Sequence, residues 1–240
     1  MVPRGVPAEL EQIKRSLFGS ATVAAQASAP RVQHLLAIER ASPGPDGGVY
    51  TMRARDISSL CGDIAPLFEH AHQLGIRSSG IGDGGNELGM GKLRDRVIEH
   101  IPNGDRIVSA FASDNIITAG VSDWGGIALA CALAIKQAAA AAGGVDTLVK
   151  SNGGSSARLR DVASTVAPSV EWQRCVLEAA VKAGAADGIS GKQQMTVDGL
   201  EFDTVHTRMI QALLAVVDSF CHAESSNAAN STQLQGAGSA

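Results

Sequence analysis

One stretch sets acidic side chains in nearly bare backbone: Gly80-Ile81-Gly82-Asp83-Gly84-Gly85-Asn86-Glu87-Leu88-Gly89-Met90-Gly91, in which six of twelve residues are glycine. Glycine this dense makes a poor helix or strand, because each one costs backbone entropy and packs nothing. It makes a tight loop whose N–H groups lie open to a ligand. Two carboxylates, Asp83 and Glu87, and one amide, Asn86, sit among those donors. Acids beside open N–H groups suit a ligand carrying both signs of charge, such as an amino acid, or a metal ion. Flexible linkers have a different composition, Gly/Ser repeats without apolar residues.

Two other chemistries are tested against the same loop. The spacing Gly80-x-Gly82-x-x-Gly85 satisfies the dinucleotide fingerprint, which needs a strand before it and a helix opening within it. Leu74 to Ser79 reads as a poor buried strand, and Asp83 would repel a docking pyrophosphate. A phosphate-binding P-loop ending in Gly91-Lys92 would need glycine at Asn86 and a hydroxyl at Leu93, so that reading fails.

Elements that position the loop follow from periodicity. His34 to Ile38 is an apolar run ending in Glu39-Arg40, and reads as a buried strand with a charged pair at its carboxyl end, where ligands collect in open α/β sheets. A Pro/Gly loop holding Asp46 follows. Asp63 to Leu74 has helical spacing, with Asp63 as cap and Gly75 as stop. Lys92 to Ile101 reads as a helix ended by Pro102. Arg106–Phe111 and Asn115–Val121 read as strands. The second runs into Ser122-Asp123-Trp124-Gly125-Gly126, and Gly125-Gly126 opens a helix to about Ala142 with donors for an anion. Asp123 also reads as a helix cap.

Further along, Val170 to Ala183 reads as a helix with Trp172, Val176, Leu177 and Ala180 inward. Asp187-Gly188 and Asp198-Gly199 read as turns. Met209 to Val217 defines a last helix, with His206 near its start. Ala8 to Phe18 suits a short amphipathic helix within a poorly defined extension over 1–30. Residues 143–169 read as a mobile surface excursion, and the small polar residues from 223 as a disordered tail.

Bulk numbers narrow the classes. The 240 residues, 45% hydrophobic and 3% aromatic, make one large or two small domains with an aliphatic core. A net charge of −4 and no Lys/Arg run give no attraction to nucleic acid. Cys61, Cys131, Cys175 and Cys221 are far apart without CxxC spacing, which argues against a disulfide framework. No charge-free apolar run reaches the length of about 18 residues that a membrane span needs. The N-terminus lacks the apolar core of a signal peptide.

Taken together, His34 to Arg40, Asp46-Gly47, Gly80 to Gly91, Gly120 to Gly126, Val197 to Leu200 and His206 resemble the C-terminal domain of the D-glutamate cyclase family, in order over roughly residues 32–221. The resemblance implies an α/β three-layer sandwich with a mostly parallel central sheet. It implies a lyase that converts D-glutamate to 5-oxo-D-proline and water, mitochondrial in animal members and cytoplasmic in bacterial ones. Two departures stand out. Asp123 replaces the Asn that such proteins often carry, and the further α/β segment that usually precedes the His34 strand is expected to be missing. The alternative is a non-catalytic or truncated relative that binds a small amino acid or anion.

Ring closure needs a base for the ammonium, an acid for the departing oxygen and donors for the oxyanion. The expected catalytic residues are Asp83, Glu87 and Asp123, with Asp83 and Glu87 holding the ammonium. Arg40 is expected to clamp the α-carboxylate. The N–H groups of Gly84, Gly85, Gly125 and Gly126 are expected to receive carboxylate oxygens. Glu39, Asp46, Asn86, Trp124, Asp198 and His206 complete the expected binding set. Asp83, Glu87 and Asp123 are alternatively ligands for Mg²⁺ or Mn²⁺, since they offer oxygen alone. The expected partner is a small amino acid, with self-association left open, and no nucleic acid or membrane.

Overall fold

The apolar run folds as the edge strand of a small parallel sheet. In the computed structural model, which describes residues 7–18, 32–141 and 167–220, β1 (His34–Ile38) lies beside β2 (Arg77–Gly82), and β2 beside β3 (Asn115–Thr118). All pairings are parallel, with Ala37 opposite Gly80 and Gly80 opposite Ile116. The chain divides into two units, through Gly125 and from Gly126 onward. The fold is α/β, as expected. The expected excursion at 143–169, all but its last three residues, and the expected tail from 223 lie outside the described residues.

Between β1 and β2, α2 (Ala65–Gln73) starts where Asp63 Oδ1 accepts the Ala65 N–H at 3.0 Å and ends at Gly75, whose φ is +72°. Proline in the first turn suits that start. Phe68 and Ala71 are buried, and α2 packs with Leu35, Ala37 and Leu88 in one core cluster. An N-terminal helix, α1 (Pro7–Phe18), matches its expectation.

Two expectations in this unit are corrected. The stretch through Leu74–Ser79 was expected to be a poor strand, yet Arg77–Gly82 is the central strand, so Gly80-Ile81-Gly82 belong to the sheet. Polar and glycine residues serve there because the loop folds back onto the strand. A Cβ on Gly80 would lie 2.6 Å from the Leu88 carbonyl oxygen. Arg106–Phe111 was expected to be a strand, but α4 (Gly104–Ile107) occupies its start. After α4 the backbone bonds to loops instead of a ladder: Ser109 N–H to the Gly85 carbonyl and Ala110 N–H to the Pro43 carbonyl. The same apolar residues are buried either way, so periodicity could not separate the two.

Beyond the glycine loop, a 3₁₀ turn (Gly91–Leu93) leads into α3 (Arg94–His100), which buries Val97. The helix after β3, α5 (Ser122–Ala141), begins earlier than expected.

In the second unit the core gathers Ile127, Cys131 and Ala138 with Phe202, Ile210 and Val217. The helix α6 (Val170–Lys182) is capped by Ser169, whose Oγ accepts the Trp172 N–H. Its buried side is the expected one in part. Leu177 packs on the core and Ala180 is half-buried, as expected, and Val170 joins Leu177, whereas Trp172 and Val176 are 59% and 46% exposed. Both sides of α6 are apolar, so spacing alone cannot choose between them. A two-residue hairpin, β4 (Thr196–Val197) and β5 (Leu200–Glu201), turns at Asp198-Gly199 as expected, both with positive φ. A π-helical turn (Phe202–His206) then opens the last helix, 207–220. Among the described residues no helix is long and apolar enough to cross a membrane.

Candidate functional site

Parallel strands bring their carboxyl ends to one edge, and the expected acids follow β1 and β2 there. Glu39 is the residue after β1 and Asp83 the residue after β2. Four positions on, Glu87 is bent back under the loop and is 2% exposed. One carboxylate oxygen from each of Glu39, Asp83 and Glu87 lies within 4.8 Å of the others. Glu39 stands at φ +47°, a left-handed conformation that costs a non-glycine residue on the order of 1 kcal/mol and is concentrated at functional sites.

Glu87 holds the loop together. Its Oε1 accepts N–H groups of Asp83 at 3.1 Å and Gly84 at 2.7 Å, and its Oε2 that of Gly85 at 2.6 Å. The Gly84 and Gly85 donors expected for a substrate are thus engaged by the protein's own carboxylate. Burial pushes the Glu87 carboxyl above its ordinary value, opposed by these N–H bonds. Around it, the Leu88 N–H donates to the Arg40 carbonyl, and the Ser42 N–H to the Asn86 carbonyl.

Asp83 reaches the start of α5. Its Oδ2 accepts the Ser122 N–H at 2.9 Å and the Ser122 hydroxyl at 3.2 Å. A helix's first N–H groups lack intrahelical acceptors and carry the positive end of its dipole. The anion expected at this terminus is therefore supplied in part by the chain itself. Gly125 and Gly126, the fourth and fifth residues of α5, lie past those open donors. Gly125 serves packing instead, since a Cβ there would lie 2.7 Å from Ile81 Cγ2. Asp123 and Trp124 are half-buried in the same first turn.

The remaining expected residues are spread out. Arg40 donates through Nη2 to the Gly62 carbonyl, and its Nε is buried without an acceptor among the described residues. The fork expected for a carboxylate is therefore partly used. Asp46 closes its own turn, accepting the Gly48 N–H and the Tyr50 hydroxyl, which keeps its carboxyl below the usual range. Asn86 donates to the Tyr50 carbonyl at 2.7 Å. Asp198 and His206 belong to the second unit. Asp198 is an exposed turn residue, and His206 is fully buried with Nε2 donating to the Val197 carbonyl.

Sequence reasoning placed Asp123 with Asp83 and Glu87 as the metal-ligand set, whereas the carboxylates that converge include Glu39. It also gave Ser122 and Tyr50 no role. Serine opening a helix and the chain's single tyrosine were the available signals.

This α/β domain folds a glycine loop round a buried glutamate and sets further acids at the carboxyl ends of its strands, the edge where ligands collect in open α/β sheets. A family model for D-glutamate cyclase-like, C-terminal domains matches residues 5–214, and the chain belongs to that family. It is 43% identical over 188 residues to human "D-glutamate cyclase, mitochondrial". The match covers 78% of this chain, and the chain spans 30% of that relative's length.

Proposed function

We propose that this domain catalyses the intramolecular dehydration of D-glutamate to 5-oxo-D-proline, with Asp83 at the reacting end of the site. The observation that carries the reading is the convergence of Glu39, Asp83 and Glu87 beside the amino end of α5. Three clustered carboxylates favour a cation, and the substrate's ammonium is one. Family membership supports D-glutamate as the substrate.

In the reaction the α-nitrogen bonds to the γ-carboxyl carbon and one carbon–oxygen bond breaks. Two of the three ammonium protons leave with that oxygen as water, so no net proton is released. In this reading Asp83 and Glu39 hold the ammonium. Asp83 takes the two protons from the nitrogen in turn as base and delivers each to the departing oxygen as acid. Glu87 keeps the loop in shape, and holding both reacting ends close supplies much of the rate. For a eukaryotic source, the proposal includes the mitochondrial setting that the human relative's name carries.

The test is to mix the full chain with D-glutamate, and separately L-glutamate, and follow 5-oxoproline. Asp83→Asn should lower turnover at least about a hundredfold and Glu39→Gln about tenfold, with unchanged circular dichroism. If both variants stay within about threefold of the parent, the assignment is wrong.

A second reading is favoured by the same carboxylates. Glu39, Asp83 and Glu87 would hold Mg²⁺ or Mn²⁺ as oxygen ligands, and the ion would supply Lewis-acid polarisation of the γ-carboxyl group. Calorimetric titration with Mn²⁺ separates the readings, because an ammonium site alone gives no saturable metal binding. The occupation of the Gly84 and Gly85 N–H groups by Glu87, which leaves them unable to receive substrate oxygens, favours a third reading, an amino-acid binder without turnover. Saturable D-glutamate binding with no 5-oxoproline would establish it.

A further inference from the structure

We propose that the outward face of α6 is an interface between two copies of this chain, packed antiparallel about a two-fold axis. That face carries Trp172, Cys175, Val176, Ala179 and the capping residue Ala183, all exposed. Their spacing places them on one stripe of the helix, opposite the Val170 and Leu177 side that packs on the core. Trp172, 59% exposed, is large enough to anchor an interface, and exposed apolar stripes on this scale mark interaction sites.

The stripe is complementary to itself in size and charge. A two-fold axis passing between Cys175 and Val176 sets Trp172 of one copy over Ala179 of the second. Small residues at the crossing let the helix axes approach closely, and the indole fills the space beside the alanine. Along the flank, Glu171 of each copy meets Lys182 of the other, giving two opposite-charge pairs. A parallel pairing would instead leave Glu171 and Lys182 of different copies at opposite ends of the helices, with neither pair formed. Closed two-fold pairs need this self-complementary pattern.

Sedimentation of the full chain over a wide concentration range reads the result. The expected species is a dimer of twice the 24.6 kDa chain mass. Trp172→Glu should weaken it by roughly thirtyfold or more while circular dichroism is unchanged. Glu171→Lys alone should weaken it by about threefold, and adding Lys182→Glu should restore it. A short bismaleimide should link two copies through Cys175, a product lost in Cys175→Ser. A monomer at every concentration overturns the proposal. So does a dimer that Trp172→Glu leaves intact and that cannot be linked at Cys175.

Discussion

In the glycine loop Glu87 accepts N–H groups from Asp83, Gly84 and Gly85, and in the second unit Asp187 accepts them from Ile189, Ser190 and Gly199. The wiring is the same, yet the two carboxyls move in opposite directions. The Ser190 and Gly199 N–H groups hold Asp187 far below the usual range. Burial lifts Glu87 despite its three donors. The surroundings decide. Glu87 lies in a run where all of residues 80–90 except Asp83 and Asn86 are buried, whereas residues 183–186 and 188–193 around Asp187 are exposed. Asp187 is itself only 7% exposed, but its chain neighbours stand open to water, whereas those of Glu87 are buried. A carboxylate tied by N–H groups marks a turn, and a tied carboxylate that is also deeply buried next to other acids marks a site.

The comparison breaks most visibly at Gly85. Its φ is +106°, and a Cβ would lie 2.6 Å from Val97 Cγ1, on a residue only 4% exposed. Gly85→Ala combines backbone strain with overpacking, and should cost about 3 kcal/mol or more by urea unfolding. Next in size is Glu87→Gln. The amide keeps the shape but turns one acceptor into a donor facing a backbone N–H. The expected loss is about 2 kcal/mol. A loss below about 0.5 kcal/mol would mean that the loop is not held by this side chain.

The loop's composition disclosed that something was built there, because glycine interleaved with acids is costly unless the backbone is used. It did not disclose the user. Spacing offers the N–H groups of Gly84 and Gly85 as donors for a substrate, yet they serve Glu87, three and two residues away. Local spacing shows which groups can meet, and only the strand's position in the sheet shows which do. The places of strand β1 and helix α2 were legible because apolar runs, Asp63 and Gly75 are local signals, but β1 is not the buried strand expected, since as an edge strand it leaves Leu36 and Ile38 42% and 47% exposed. Strand β2 was hidden because its residues answer to the loop folded over them. Glu39 and Asp83 lie 44 positions apart, and it is the register of β1 on β2, with Ile38 opposite Ile81, that makes them neighbours.

Titration sharpens the contrast. Asp187 has a depressed folded-state pKa, so its stabilisation is present above the ordinary aspartate value of about 3.9 and fades as pH falls below it. Glu87 has a raised one, so its contribution is fullest below the ordinary glutamate value of about 4.3 and fades as pH rises through the folded value. Subtracting the stability curve of Asp187→Asn from the parent's should leave a difference that shrinks toward acid pH. The same subtraction for Glu87→Gln should leave one that shrinks toward neutral pH. Near neutrality Asp187→Asn should cost about 1 kcal/mol, the net value of lost charge-assisted N–H bonds at an exposed turn. Two curves bending the same way would mean that burial does not distinguish the two carboxylates.

An effect no larger than that of Asp187→Asn is expected at Gly199, the counterpart of Gly85. It too has a left-handed φ, +75°, and donates its N–H to the turn's carboxylate. A Cβ there would meet Ile189 Cγ2 at 3.2 Å, but Ile189 is 64% exposed and free to rotate away. Gly199→Ala therefore keeps the backbone strain and loses the overpacking, for a cost of about 1 kcal/mol. The two glycines share a conformation and differ in what surrounds them. If both alanine variants unfold at the same urea concentration, relative to a common parent, the packing beside Val97 adds nothing to the loop.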